Sequence, residues 1–134
     1  MANLIKNGDF SQQGTHWTAS NPGNVSYDSG DCVIAQPGSI SQEVLTANGQ
    51  GGSFMVSARM KTILGSAGRV TVQPIPSGTP VFLDVPGAQE WIVKSTIITA
   101  PTATIAFKVT LAANDGESGK PGSYFADLTL SKLN

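Results

Sequence analysis

The sequence predicts an all-β fold, an antiparallel β-sandwich or jelly roll, and two features of the chain lead there. Runs of four to nine residues in which apolar and polar side chains alternate succeed one another along the chain, the period of a strand with one face buried. Turn dipeptides separate the runs at intervals of about ten residues, the punctuation of an antiparallel sandwich: Asn7-Gly8, Ser29-Gly30, Pro37-Gly38, Asn48-Gly49, Gly51-Gly52, Ser77-Gly78, Pro86-Gly87, Asp115-Gly116 and Pro121-Gly122. Helical spacing of apolar residues is interrupted everywhere by Gly, Pro or β-branched residues.

Taken in order, Leu4 and Ile5 start an edge strand that Asn7-Gly8 turns back, and Phe10 and Trp17 come next as aromatic anchors of a loop. VSYDSGDCVIA (25–35) holds two short strands about Ser29-Gly30, and SISQEVLT (39–46) alternates. SFMVSARMKT places Phe54, Val56, Ala58 and Met60 on one face, with Ser57, Arg59 and Lys61 on the other. GRVTVQPI buries Val70, Val72 and Pro74 and turns out Thr71 and Gln73. TPVFLDV buries Val81, Leu83 and Val85 and turns out Phe82 and Asp84. WIVKSTIIT is the next run. TATIAFKVTL aligns Ile105, Phe107, Val109 and Leu111, leaving Lys108 and Thr110 outside, and SYFADLTLSKL aligns Tyr124, Ala126, Leu128 and Leu130. Residues 112–123 form the longest loop. Length and even composition fit a single domain over 1–134, with one core.

The totals narrow the function. A formal charge of −1 with 13% charged residues gives no basic field for nucleic acid or an anionic membrane. No stretch approaches the ~18 apolar residues that cross a bilayer, and MANLIKNGDF has no secretion-signal core. The expectation is a soluble chain that stays in the cell, leaves without a cleaved signal, or is cut from a larger secreted protein. The one cysteine, Cys32, lies in an apolar run and reads as a buried thiol. The one histidine, His16, has no second His or nearby Cys for a tetrahedral metal site and reads as a loop residue. Asp28 with Asp31 and Asp115 with Glu117 are carboxylate pairs of the kind that cut glycosidic bonds, but both fall in turn-like segments and read as hydrophilic loops. No enzyme activity and no cofactor are expected.

NLIKNGDFS, HWT, SISQEV, SFMVSARMK, EWIVKSTIITAP and YFADLTLSKL, in that order, resemble the carbohydrate-binding modules attached to xylanases and related glycanases, and more broadly the galactose-binding-domain-like jelly rolls. The resemblance implies that Trp17 packs in the core and that Trp91 is structural. It implies a structural calcium held near the first and last strands. Here Ser11 stands where an acid is usual and Ala126-Asp127 where two acids are, so Asp9 and Asp127 are the side chains left to ligate it, against the reading that they cap turns or meet solvent. It also implies glycan binding on a concave sheet face.

From that resemblance and the outward positions, the candidate carbohydrate-binding residues are Arg59, Gln73, Phe82 and Asp84, with Tyr27 as an alternative stacking platform. Planar polar groups suit sugar hydroxyls, which both donate and accept, and an aromatic face suits a pyranose ring. Two readings stand: non-catalytic recognition of a poly- or oligosaccharide, and a structural module of a multi-protein particle such as a phage tail or toxin complex, without a sugar site and with a homo-oligomer or particle partner.

Overall fold

The alternating runs become ten strands in a computed structural model that describes residues 3–28, 30–46, 51–63, 66–114 and 121–133. The strands are β1 (Thr18–Ser20), β2 (Val25–Asp28), β3 (Asp31–Ala35), β4 (Ser39–Leu45), β5 (Gly52–Thr62), β6 (Ala67–Ile75), β7 (Val81–Val85), β8 (Ile92–Ala100), β9 (Ala106–Asn114) and β10 (Pro121–Lys132). A 3-10 turn, Pro22–Asn24, links β1 to β2. The Asn48-Gly49 and Asp115-Gly116 turns, the Asp115–Glu117 pair and most of the 112–123 loop lie outside the described residues.

All pairings are antiparallel and form two five-stranded sheets, β1-β4-β9-β6-β7 (sheet A) and β2-β3-β10-β5-β8 (sheet B). Their inner faces interdigitate as alternation requires. Val70, Val72, Leu83, Val85, Phe107, Val109 and Leu111 from sheet A meet Phe54, Val56, Ala58, Met60, Ile34, Phe125, Leu128 and Leu130 from sheet B. Phe54 and Phe107 join the sheets edge to face, ring centroids 4.8 Å apart and planes at 70°.

Several expectations are corrected by local geometry. Leu4 and Ile5 form no strand. The Leu4 N–H donates to the Leu130 carbonyl and the Leu128 N–H to the Gly8 carbonyl, so the N-terminal segment lies beside the end of β10. There it occupies the side that β3 fills only as far as Phe125. Ile105 precedes β9 and is exposed, not aligned with Phe107. On β10 the expected face is reversed in its first half. The register slips between Ala126 and Thr129 against β5, and Asp127, at φ 50°, is the extra residue of a β-bulge. Phe125, Leu128 and Leu130 therefore all point inward, and Tyr124 points out.

Trp17 is buried, packs 5.5 Å from the Phe10 ring and donates its indole N–H to the Asn7 carbonyl at 3.1 Å. Asn7, at φ 54°, organises the loop: its Nδ2 donates to the carbonyls of Gln13 (2.7 Å) and Thr15 (2.9 Å) and its Oδ1 accepts the Gln12 N–H (3.1 Å). Cys32 is fully buried, and burial together with Asp31 pushes its thiol up to about 12, leaving an inert neutral group.

Candidate site on the outer face of sheet A

The antiparallel registers of sheet A align its outward residues in rows. Ser39, Ala112, Arg69 and Asp84 make one; Thr18, Ser41, Thr110, Thr71 and Phe82 the next; Glu43, Lys108 and Gln73 a third. Three of the expected sugar-binding residues, Gln73, Phe82 and Asp84, share this face. The hairpin pairing brings Arg69 opposite Asp84 and diagonal to Phe82, which is 45% exposed. Arg69 grips Asp84 through two bonds, Nε to Oδ1 at 2.6 Å and Nη2 to Oδ2 at 3.4 Å, and its guanidinium lies 4.5 Å from the Phe82 ring centroid. The fork fixes the plane of the guanidinium against the ring. Donors, acceptors and an aromatic surface are thereby held together on one face.

Beside this cluster a depression of about 650 Å³ opens between the β3–β4 turn and the sheet, lined by Gln36, Pro37, Gly38, Ser39, Arg69, Thr110 and Ala112. Gln73 is partly committed: both bonds from its Nε2 go to backbone carbonyls, of Pro74 (3.0 Å) and Gly78 (2.9 Å). Arg69 was missed in the sequence, although it has the same parity as Thr71 and Gln73, two residues before the first of them.

Arg59 is not part of this face. It lies on β5, so its outward side chain emerges from sheet B, on the far side of a sandwich whose sheets stand ~10 Å apart. There it donates to Asp127 at 3.1 Å and covers the Trp91 ring at 4.8 Å. Trp91, read as structural, is half-buried on this outer face and not in the core. It meets Tyr124 edge to face at 6.3 Å, and Lys61 lies 5.3 Å over the Tyr124 ring. Tyr27 belongs to neither face. Its ring packs against Phe10 at 5.9 Å, and a Cβ on Gly14 would touch the ring at 2.9 Å, so part of its surface is covered by the N-terminal loop.

The two side chains that the resemblance leaves to ligate a calcium both have protein partners. Asp127 is ion-paired with Arg59, and Asp9 Oδ1 accepts the Ser11 N–H, a bond that holds the Asp9 carboxyl below the usual range. Among the described residues no three His, Cys, Asp or Glu side chains gather as a metal-binding group. Asp28 and Asp31 face each other across the β2–β3 hairpin, and burial, then the Asp28 charge, raises the Asp31 carboxyl. His16 is an exposed loop residue at φ 75°. No helix of the described residues is long and apolar enough to cross a membrane.

No protein-family model matches the chain, and no curated protein matches it. Solved structures do. A family 16 carbohydrate-binding module superposes with a TM-score of 0.75 at 20% identity, over 97% of this chain and all of that one. A family 61 module solved with β-1,4-galactotriose gives 0.68 at 17%, over 99% of this chain and all of that one. The fold is the jelly roll of carbohydrate-binding modules. Tailspike protein 4 of bacteriophage CBA120, in its enzymatically active domain, also contains it. The match has a TM-score of 0.75 and 12% identity over 98% of this chain, which spans only 21% of the tailspike chain.

Proposed function

We propose that this protein is a non-catalytic module that binds an oligo- or polysaccharide across the outer face of sheet A. The Arg69–Asp84 fork stacked on Phe82 beside an open depression carries the reading. Phe82 offers its exposed ring to the apolar face of a pyranose. Asp84 accepts from sugar hydroxyls, the guanidinium N–H groups not turned to Asp84 donate to them, and Thr71, Thr110 and Gln73 Oε1 extend the contacts across the strands. Arg59 and Tyr27 take no part. The fold likeness to carbohydrate-binding modules, one of them solved with β-1,4-galactotriose, supports this assignment.

Affinity electrophoresis and titration calorimetry with β-1,4-galactan, xylan and mixed-linkage β-glucan test it. Saturable binding to one of them, lost in Phe82→Ala and Arg69→Ala and kept in Arg59→Ala, is the expected result, with no sugar released from any polymer. A second reading, a structural module of a particle without a sugar site, draws on the likeness to part of a phage tailspike and on Phe82 being the one aromatic in the rows described for sheet A. It predicts no binding to any of the three polymers and a stable assembly with partner proteins.

A further inference from the structure

We propose that two copies of this chain associate through β8, pairing edge to edge about a two-fold axis to join their B sheets into one. A sheet edge presents unpaired N–H and C=O groups, and proteins usually blunt it by keeping the strand short, bulged, charged or proline-bearing. Three of the four edges here obey that rule by length: β1 has 3 residues, β2 has 4 and β7 has 5. The fourth does not. β8 runs for 9 residues, IVKSTIITA, with one charge and no proline, and pairs with β5 in unbroken register from Ile92 to Ala100. Every second residue of it turns its backbone groups away from β5. Its outward side chains include Val93, 60% exposed, and Ile97, 52% exposed.

The sequence of β8 selects a second copy of itself as the occupant. If both sandwiches keep their outer faces on the same side, the axis must pass a residue, because opposed residues in an antiparallel pair share a face. An axis at Lys94 sets two lysines directly opposite each other, which is unfavourable, and an axis at Thr96 sets Lys94 against Ile98 of the second copy. An axis at Ser95 places Val93 opposite Ile97 and Ile97 opposite Val93, with Lys94 against Thr96. The segment Val93-Lys94-Ser95-Thr96-Ile97 is thus complementary to its own reverse, as an isologous interface requires. A sugar on sheet A is not needed for this contact, so the two proposals stand or fall separately.

Sedimentation equilibrium of the purified full chain, with Ser95→Cys cross-linking, tests the proposal. The wild type is expected to sediment as a dimer. Val93→Lys and Ile97→Glu each shift it to monomer, and the double variant Val93→Lys/Ile97→Glu dimerises again, because opposite charges then face each other at two places. Ser95→Cys, with its cysteines opposed at the axis within disulfide reach, forms a covalent dimer on mild oxidation, and Thr99→Cys does not. A wild type that stays monomeric up to its solubility limit overturns the proposal. So does a dimer indifferent to both single substitutions, or one cross-linked as well through position 99 as through 95. Circular dichroism confirms that each variant is folded, and the wild-type measurement needs no substitution.

Discussion

Arg69 and Asp84 face each other across the β6–β7 hairpin with Nε 2.6 Å from Oδ1, and both side chains are about half exposed. Exposed pairs of this kind contribute ~0.2–1 kcal/mol to stability. The cluster is therefore cheap to dismantle without unfolding the sandwich. Arg69→Ala should move the denaturant midpoint little and abolish saturable glycan binding. Arg69→Lys should keep the charge, lose the planar fork on Phe82 and bind measurably weaker than wild type. A glycan affinity unchanged in both variants would remove Arg69 from the site.

Phe107 is fully buried and closes the core edge to face against Phe54. Truncating such a ring leaves a cavity that neighbours on two sheets fill only in part, and typical losses are about 3–5 kcal/mol. Phe107→Ala should show that loss in urea unfolding, whereas Phe82→Ala, at an exposed ring, should stay within about 0.5 kcal/mol of wild type.

Alternation along single strands made most of the core legible: Phe54, Val56, Ala58 and Met60 are buried as one face of β5, and Val70, Val72 and Pro74 as one face of β6. What alternation cannot express is which sheet a strand joins. Arg59 and Gln73 are both outward by parity, yet β5 and β6, neighbours in sequence, lie in opposite sheets, so two residues expected to share a face are separated by the core. The Tyr124 error has a different origin. A bulge at Asp127 adds one residue to β10 and switches the face of the residues before it relative to those after it. No strand-period argument detects that extra residue. Trp91 and Tyr124 consequently form a half-buried pair on the outer face of sheet B, which the inward reading of Tyr124 did not anticipate.

Asn7 ties the N-terminal loop together, drawing the carbonyls of Gln13 and Thr15 to one nitrogen. Hydrogen bonds contribute about 0.5–1.5 kcal/mol each, so Asn7→Ala should destabilise the fold by about 2 kcal/mol. Asn7→Asp, isosteric but without the donor, should cost at least as much, since a carboxylate turned toward two carbonyls repels them. Because this loop is closed by protein groups and Asp127 is engaged by Arg59, neither calcium nor a chelator should shift the melting temperature of the wild type. A calcium-dependent rise would show that Asp9 and Asp127 reorganise into a ligand set.

Asp31 is held in register with Asp28, one of its carboxylate oxygens, Oδ1, is buried without a hydrogen-bond partner, and its carboxyl is raised above 3.8 first by burial and then by the Asp28 charge, Lys61 and Arg59 opposing. An acid whose folded pKa lies above its unfolded value binds its proton more tightly in the native state. The fold therefore gains stability as pH falls through the raised folded value toward 3.8, and carries the cost of the ionised form at every pH above that window. Asp31→Asn removes the charge while keeping the shape, so it should stabilise the protein at pH 7, and its advantage should shrink as pH falls through the same window. Urea midpoints of wild type and Asp31→Asn, measured from pH 7 down to pH 3, read this directly. A variant that is less stable than wild type at pH 7 would show that the Lys61 and Arg59 attractions outweigh desolvation and that Asp31 is a stabilising anion on sheet B.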